Sequence, residues 1–293
     1  MKVSNFCIYP CVMGIINVTP DSFYADSRVQ EESALRERVL QIITEGGSMI
    51  DVGAYSSRSG AAEVTAQEEM ERLAWALPII RCVLTESKKE LLVSIDTFRA
   101  EVAERCVTEF GADIINDISG GTLDNEMFDV VARTRAPYIL MHMRGTPQNM
   151  QSHTSYSSAI TEAVSQFFVE QLTRLRERYQ AVNGPDSEPE VILDPGYGFA
   201  KTLDQNYELM CSLPVLIKAF PLHPMLVGIS RKSMIYRLLD LTPESSLNGT
   251  TVLNTFALLQ GAHILRVHDV KEAVQTLAIT RKLTHNPQPS TLS

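Results

Sequence analysis

The stretch "LLVSIDTFRAEVAERCVTEFGADIINDI" (residues 91–118) contains an apolar, β-branched run, an amphipathic run and a second apolar run. Residues 91–96 and 113–118 read as strands buried on both faces, and residues 100–111 read as the helix joining them. A helix between two strands is the usual link of a parallel pair. The same order recurs in both directions along the chain. Further strands are expected at 12–16 (VMGII), 49–53 (MIDVG), 138–143 (YILMHM), 191–194 (VILD), 225–230 (MLVGIS) and 263–268 (HILRVH). Helical patterns lie between them at 31–46, 66–86, 125–135, about 156–178, 204–213, 234–240 with 249–261, and 271–283. Eight such units with no break in composition are what a (β/α)8 TIM barrel requires. A doubly wound sheet is the alternative. The polar run 183–190 (NGPDSEPE) reads as a loop before strand six, so the α/β barrel is expected to be a single domain over 1–283, with 284–293 a disordered tail.

Bulk properties narrow the function classes. With 293 residues, 44% of them hydrophobic, the chain can bury a large core. Its formal charge of −9, from 26 basic and 35 acidic residues, argues against a broad nucleic-acid surface. No stretch approaches the ~20 apolar residues of a membrane helix, and "MKVSNFCIYP" lacks a secretory hydrophobic region. A cytoplasmic protein with no membrane and no nucleic-acid partner is expected. Its five cysteines, without CxxC spacing, are expected to be reduced packing residues.

Six of the eight strands end in groups that are costly to bury: Asp51, Asp96, Asn116, His142, Asp194, and Arg266 with His268. In a barrel these ends converge on the C-terminal rim, where active sites lie. Any one aspartate reads equally as a cap or turn residue, and Asp51 fits that plainer role. Arg266 and His268 share one face of their strand and must meet an anion, a carboxylate or water. Arg231 and Lys232 ("SRKS", 230–233) follow strand seven, in the quarter where barrels often hold phosphate. "GYGFAKT" (196–202) is not a Walker A loop, because Ala200 stands before the lysine and the first glycine is misplaced.

Taken in order, "MGIINVTPDSF", "VSIDTFRAEVAE", "GADIINDISGG", "LMHMRGTPQNMQ", "LDPGYGFAKT", "VGISRKSMI" and "RVHDV" resemble the dihydropteroate synthase family over about residues 12–275. The resemblance implies a TIM barrel, a homodimer, Mg²⁺ as cofactor, and two small-molecule substrates, 6-hydroxymethyl-7,8-dihydropterin pyrophosphate and para-aminobenzoate. Carried over residue by residue, it implies pterin contacts from Asp96, Asn116, Asp194, Lys232 and Arg266, with Ile118, Met141, Phe199, Leu226 and Gly228 as walls or close backbone. It implies pyrophosphate contacts from Asn17, Arg58, Arg266 and His268, with Asn17 also on the metal. Asn17, Lys232, Arg266 and His268 would form the catalytic set. Aminobenzoate would meet Thr19, Pro20, Phe23, Ser57, Arg58, Phe199, Ser230 and Lys232, with Asp21 in the same first loop.

An aromatic amine attacks without a strong base, so an SN1-like displacement with no covalent enzyme intermediate is expected. The second loop departs from the family's usual "GGESTRPGA". It reads "GAYSSRSGA", with Tyr55 for the glutamate, Ser57 for the threonine and Ser59 for the proline. Ala200 stands where glycine is usual. Two other readings stay open: a methyltetrahydrofolate-dependent methyltransferase of the same superfamily, which has no use for a pyrophosphate clamp, and a catalytically weak pterin-binding paralogue.

Overall fold

A computed structural model describes residues 10–18, 28–55 and 64–285. The described residues contain eight strands: β1 (Cys11–Asn17), β2 (Met49–Gly53), β3 (Leu92–Asp96), β4 (Ile114–Asp117), β5 (Tyr138–Met141), β6 (Val191–Asp194), β7 (Leu226–Val227) and β8 (Ile264–Val267). All ladders are parallel, in the order β6-β5-β4-β3-β2-β1-β8-β7. The seam between β6 and β7 is closed by one bridge, Leu193 to Met225, and by the Leu193 N–H donating to the Pro224 carbonyl at 2.9 Å. The barrel expected from the sequence is therefore present, and the doubly wound alternative is excluded.

Ten helices accompany the strands among the described residues: α1 (Arg28–Thr44), α2 (Ala66–Glu86), α3 (Ala100–Phe110), α4 (Met127–Thr134), α5 (Ile160–Asn183), α6 (Leu203–Cys211), α7 (Leu213–Ala219), α8 (Ser233–Tyr236), α9 (Leu247–Leu259) and α10 (Val270–His285). Helix α2 starts at a capping box in which Thr65 and Glu68 satisfy each other's backbone N–H groups. It runs through Pro78, which costs a helix about 3 kcal/mol. Four fully buried positions on its inner face, Leu73, Ala76, Leu77 and Ile80, outweigh that loss, since each buried large aliphatic side chain contributes roughly 1.5–3 kcal/mol. Helix α7 was not visible in the sequence pattern. The segment expected to be helical to 240 forms only the single turn of α8. The last residues of the tail, 286–293, lie outside the described residues.

Alternation along the strands sorts the residues into layers. One face packs outward against the helices. Inside the barrel, Cys11, Met13, Met49, Leu92, Ile114, Ile139, Ile192, Leu226 and Ile264 form a buried apolar floor. Two residues further along the strands the chemistry changes abruptly: Asp51, Ser94, Asn116, Asp194 and Arg266 stand above that floor. The next positions up are Gly53, Asp96, Ile118 and His268. The floor keeps water out from below, so polar groups above it can be satisfied only by one another or by something entering from the mouth.

Candidate active site

Arg266 is the hub of the polar layer. Its Nε donates to Asp51 Oδ2 at 2.6 Å and its Nη2 to Asp96 Oδ2 at 2.7 Å, while Asn116 Nδ2 donates to the same Asp51 oxygen at 3.0 Å. Among the described residues Nη1 has no protein partner. Of the three options the sequence left for Arg266, an anion, a carboxylate or water, the ligand-free molecule takes carboxylates. Asp51 is therefore not a cap or turn residue. Position 51 points into the barrel, because it pairs with Ser94 in the β2–β3 register, lies two residues beyond the inward Met49 and alternates with the outward Val52. Its second oxygen, Oδ1, and Ser94 Oγ are both buried without a partner among the described residues.

Asp194, at the end of β6, uses Oδ1 to accept the Gly196 N–H at 2.8 Å, a tight turn of its own making. Its Oδ2 faces the space beside Gly228, where a Cβ would stand 3.9 Å from that oxygen and 3.8 Å from Arg266 Cβ. A missing side chain thus keeps the gap between Asp194 and Arg266 open. Lys232 enters from the other side, donating to the Tyr197 carbonyl at 2.8 Å with its ammonium 4.5 Å from the Phe199 ring centre. Ser230 Oγ lies 3.0 Å from His268 Nδ1 and accepts the His268 N–H at 3.2 Å, which fixes that ring. Ile118, Met141, Met143, Met150, Phe199 and Ala200 form one apolar cluster beside these groups, with Phe98 and Leu123 against it.

Burial and mutual charge set the ionisation. Burial pushes the Asp96 carboxyl up to about 7, with Arg266 opposing and Asp51 reinforcing the shift. Burial also raises Asp194, against the pull of Lys232. Burial lowers Lys232 to about 8, against the pull of Asp194. Arg266 is raised, because Asp51 and Asp96 more than offset its own burial. Three carboxyls, Asp51, Asp96 and Asp194, therefore face two cationic side chains, Arg266 and Lys232, at the barrel mouth, an arrangement able to accept N–H donors and to hold an anion.

The structure brings Asp96, Asn116, Ile118, Met141, Asp194, Phe199, Gly228, Ser230, Lys232, Arg266 and His268 to one end of the barrel. Leu226 belongs to the floor, below the expected wall. Asn17 ends β1 at the same rim. Thr19, Pro20, Asp21, Phe23, Ser57, Arg58 and Ser59 lie outside the described residues.

His142 was counted with the polar rim, but alternation from the inward Met141 turns it outward and buries it. There Nδ1 meets Lys201 Nζ at 2.9 Å. That ammonium also donates to the carbonyls of Gly196 at 2.9 Å and Phe199 at 3.0 Å, so its three hydrogens knit the loop after β6. Arg231 does not join Lys232. It donates to Asp269 through two bonds of 2.9 and 2.7 Å and to the Glu244 carbonyl at 2.7 Å, and its own φ is 56°. Ala200 also has a positive φ, 49°, which explains why glycine is usual there. From the sequence Asp51 passes as a cap or turn residue, and Ser94 and Lys201 carry no mark of a role. For the first two a signal existed: positions 51/53 and 94/96 share the in-facing parity of their strands.

A family model described as pterin binding enzyme matches residues 13–268. The chain is 38% identical over 271 residues to the dihydropteroate synthase of Escherichia coli K12, covering 92% of this chain and 90% of that one. It is 42% identical over 274 residues to the dihydropteroate synthase of Synechocystis, covering 93% and 89%. Among solved structures it resembles the Yersinia pestis dihydropteroate synthase with a sulfonamide drug complex at 34% identity and a TM-score of 0.79, covering 96% of both chains. It also resembles the Xanthomonas albilineans dihydropteroate synthase with 4-aminobenzoic acid at 32% identity and a TM-score of 0.81, covering 96% and 95%.

Proposed function

The chain belongs to the pterin binding enzyme family and, within it, to the dihydropteroate synthases, and we propose that its barrel mouth divides the labour of that reaction between a deep pterin site and an outer amine site. The reaction is a transfer in folate biosynthesis: 6-hydroxymethyl-7,8-dihydropterin pyrophosphate and para-aminobenzoate give 7,8-dihydropteroate and pyrophosphate. The observation that carries the assignment of roles is the convergence of Asp96, Asn116, Asp194, Lys232 and Arg266 above an apolar floor.

Asp194 Oδ2, Asp96 and Asn116 read the N–H and acceptor edge of the pterin, and Lys232 holds the ring's acceptor side. Ile118, Met141 and Phe199 form its walls, Gly228 leaves the ring room, and Leu226 supports it from below. As the methylene C–O bond breaks, Arg266, with Nη1 still to place, and His268, held by Ser230, stabilise the growing charge on the pyrophosphate. The electron-rich pterin carries the developing cation, so the displacement is SN1-like and needs no enzyme nucleophile. The aminobenzoate approaches from outside over Phe199, Ser230 and Lys232. Thr19, Pro20, Phe23, Ser57 and Arg58 complete that side by resemblance, as Arg58 does for the pyrophosphate. A sulfonamide, itself an aryl amine, is expected to compete there.

The residues fit a Mg²⁺ that arrives with the pyrophosphate. Among the described residues no three His, Cys, Asp or Glu side chains are grouped to hold a metal. Asn17 Oδ1 and Asp96 Oδ2 both face the space left by Gly53, 3.8 and 3.7 Å from where its Cβ would be. An amide oxygen with substrate phosphates and water is a donor set that suits Mg²⁺. When bound, the ion neutralises charge on the leaving group.

A homodimer would cover the apolar residues exposed on α9 and α10, which pack together: Val252, Leu259, Ile279 and Leu283. No helix among the described residues is long and apolar enough to cross a membrane, and the free thiols of Cys82, Cys106 and Cys211 suit the reducing cytoplasm. The direct test is pyrophosphate release with both substrates and Mg²⁺. Release that requires both substrates is expected, and none under any condition would overturn the assignment.

A further inference from the structure

Tyr55 stands at the end of β2 where the family usually has glutamate, and its surroundings are built rather than incidental. Its hydroxyl is hydrogen-bonded by Gln148 Nε2, from the loop after β5. Its ring meets Phe98 edge-on, with centroids 5.2 Å apart. The Arg99 guanidinium lies 5.4 Å from the Tyr55 ring centre and 5.0 Å from that of Phe98. Arg99 is itself held by the buried Glu69 of α2 and donates to the Val64 carbonyl at 2.6 Å. Arg72, one turn along α2 from Glu69, donates to the Ala54 carbonyl at 2.9 Å. Two arginines flanking one buried carboxylate thus clasp the backbone at 54 and 64, on either side of the second loop.

The contacts continue around the mouth. Gln151, three residues after Gln148, donates to the Gly198 carbonyl at 3.2 Å. Gly198 in turn packs under Lys232, its would-be Cβ 3.2 Å from Lys232 Cδ. A rim fastened at Tyr55 is therefore tied, through the loop after β5, to a cation of the site. A glutamate at 55 would pair with Arg99 by charge. The tyrosine substitutes stacking on that cation and adds a directional bond to Gln148.

We propose that Tyr55 is a positioning residue for the second substrate, joining the β2 rim to the loops after β3 and β5 so that the outer, amine-accepting part of the mouth is preorganised. The proposal rests on the assignment of the chain to dihydropteroate synthesis with the amine in the outer part of the mouth. The pterin's carboxylate, amide and guanidinium contacts, Asp96, Asn116, Asp194 and Arg266, sit on the strands themselves, below this rim, and only Lys232, shared with the amine, is reached from it, so loss of the Tyr55 contacts reaches the amine first.

The test uses Tyr55→Phe, Tyr55→Ala, Tyr55→Glu, Gln148→Ala and the double variant Tyr55→Phe/Gln148→Ala. Steady-state kinetics are measured for both substrates, with thermal melts and calorimetry of aminobenzoate in the presence of inorganic pyrophosphate. Loss of one neutral hydrogen bond predicts a rise of roughly threefold to tenfold in the aminobenzoate KM for Tyr55→Phe and Gln148→Ala alike. The double variant should be no worse than either single one. Tyr55→Ala, which also loses the stack, should be worse than Tyr55→Phe, and Tyr55→Glu should recover part of the loss through Arg99. The pterin pyrophosphate KM should stay within about twofold, on the ground that the coupling is confined to the rim. Unchanged aminobenzoate constants, equal losses for both substrates, or additive losses in the double variant would each overturn the proposal. A parent protein that releases no pyrophosphate counts against the assigned reaction, and the calorimetric affinities then decide the role of Tyr55.

Discussion

Replacing Arg266 by lysine keeps the charge and removes the fork. In the parent, one guanidinium satisfies Asp51 at 2.6 Å and Asp96 at 2.7 Å through two different nitrogens. A lysine ammonium is a single point and holds one of them well. Asp51 is fully buried whereas 20% of the Asp96 side chain is exposed, so the ammonium is drawn to Asp51 and Asp96 turns to water. A lost charged hydrogen bond costs about 1.5–3 kcal/mol, and the exposure of Asp96 places this loss near 1.5–2 kcal/mol. For a chain of this length that lowers Tm by about 2–4 °C. If Nη1 also meets the departing pyrophosphate, turnover falls by roughly 10²–10³. The sequence alone left Arg266 an anion, a carboxylate or water as its partner, and the carboxylate nearest to it along the chain is Asp269. Asp269 instead belongs to Arg231. Differential scanning calorimetry and a pyrophosphate-release assay on Arg266→Lys check both parts. A Tm within about 1 °C of the parent, a shift too small for a lost charged bond, together with parent-like turnover would refute the network as the basis of the site.

The kcat/KM for the pterin substrate should be bell-shaped in pH, with an acid limb near 7 from Asp96 and an alkaline limb near 8 from Lys232; a flat profile in the parent, or limbs unchanged in Asp96→Asn and Lys232→Met, would contradict these origins. The same Asp96 shift carries a stability sign. Its folded value lies above the ordinary 3.8, so the folded protein holds the extra proton, and this group's contribution is lost as pH rises from about 4 to about 7. Asp194→Asn keeps Oδ1 for the Gly196 N–H but presents an amide where Oδ2 accepted, so pterin-analogue affinity should fall about tenfold to a hundredfold with little change in Tm; calorimetry giving parent-like affinity would make Asp194 only a turn residue. Gly198→Ala forces a side chain into φ +83° and toward Lys232 Cδ, which should cost about 1–2 kcal/mol and lower turnover; parent-like melting and kinetics would show that this contact yields freely.

The repeating order of strand and helix reaches the level of the chain's hydrophobic pattern, which is why all eight strands and the barrel are legible in the sequence. So was the gathering of Asp96, Asn116, Asp194, Lys232, Arg266 and His268, because strand ends in such a barrel converge whatever the loops do. The partner of each group was not legible. Asp51 and Arg266 are 215 positions apart, and only closure of the barrel brings their side chains within 2.6 Å. His142 is polar and follows a strand like its neighbours, yet the parity of one residue turns it away from the mouth and onto Lys201. Arg231 and Lys232 are adjacent and alike in charge, yet one pairs with Asp269 and the other reaches the Tyr197 carbonyl. Composition and periodicity record which residues are costly to bury. Which charge answers which is a matter of distances of a few ångströms across a low-dielectric interior, and those exist only once the chain has folded.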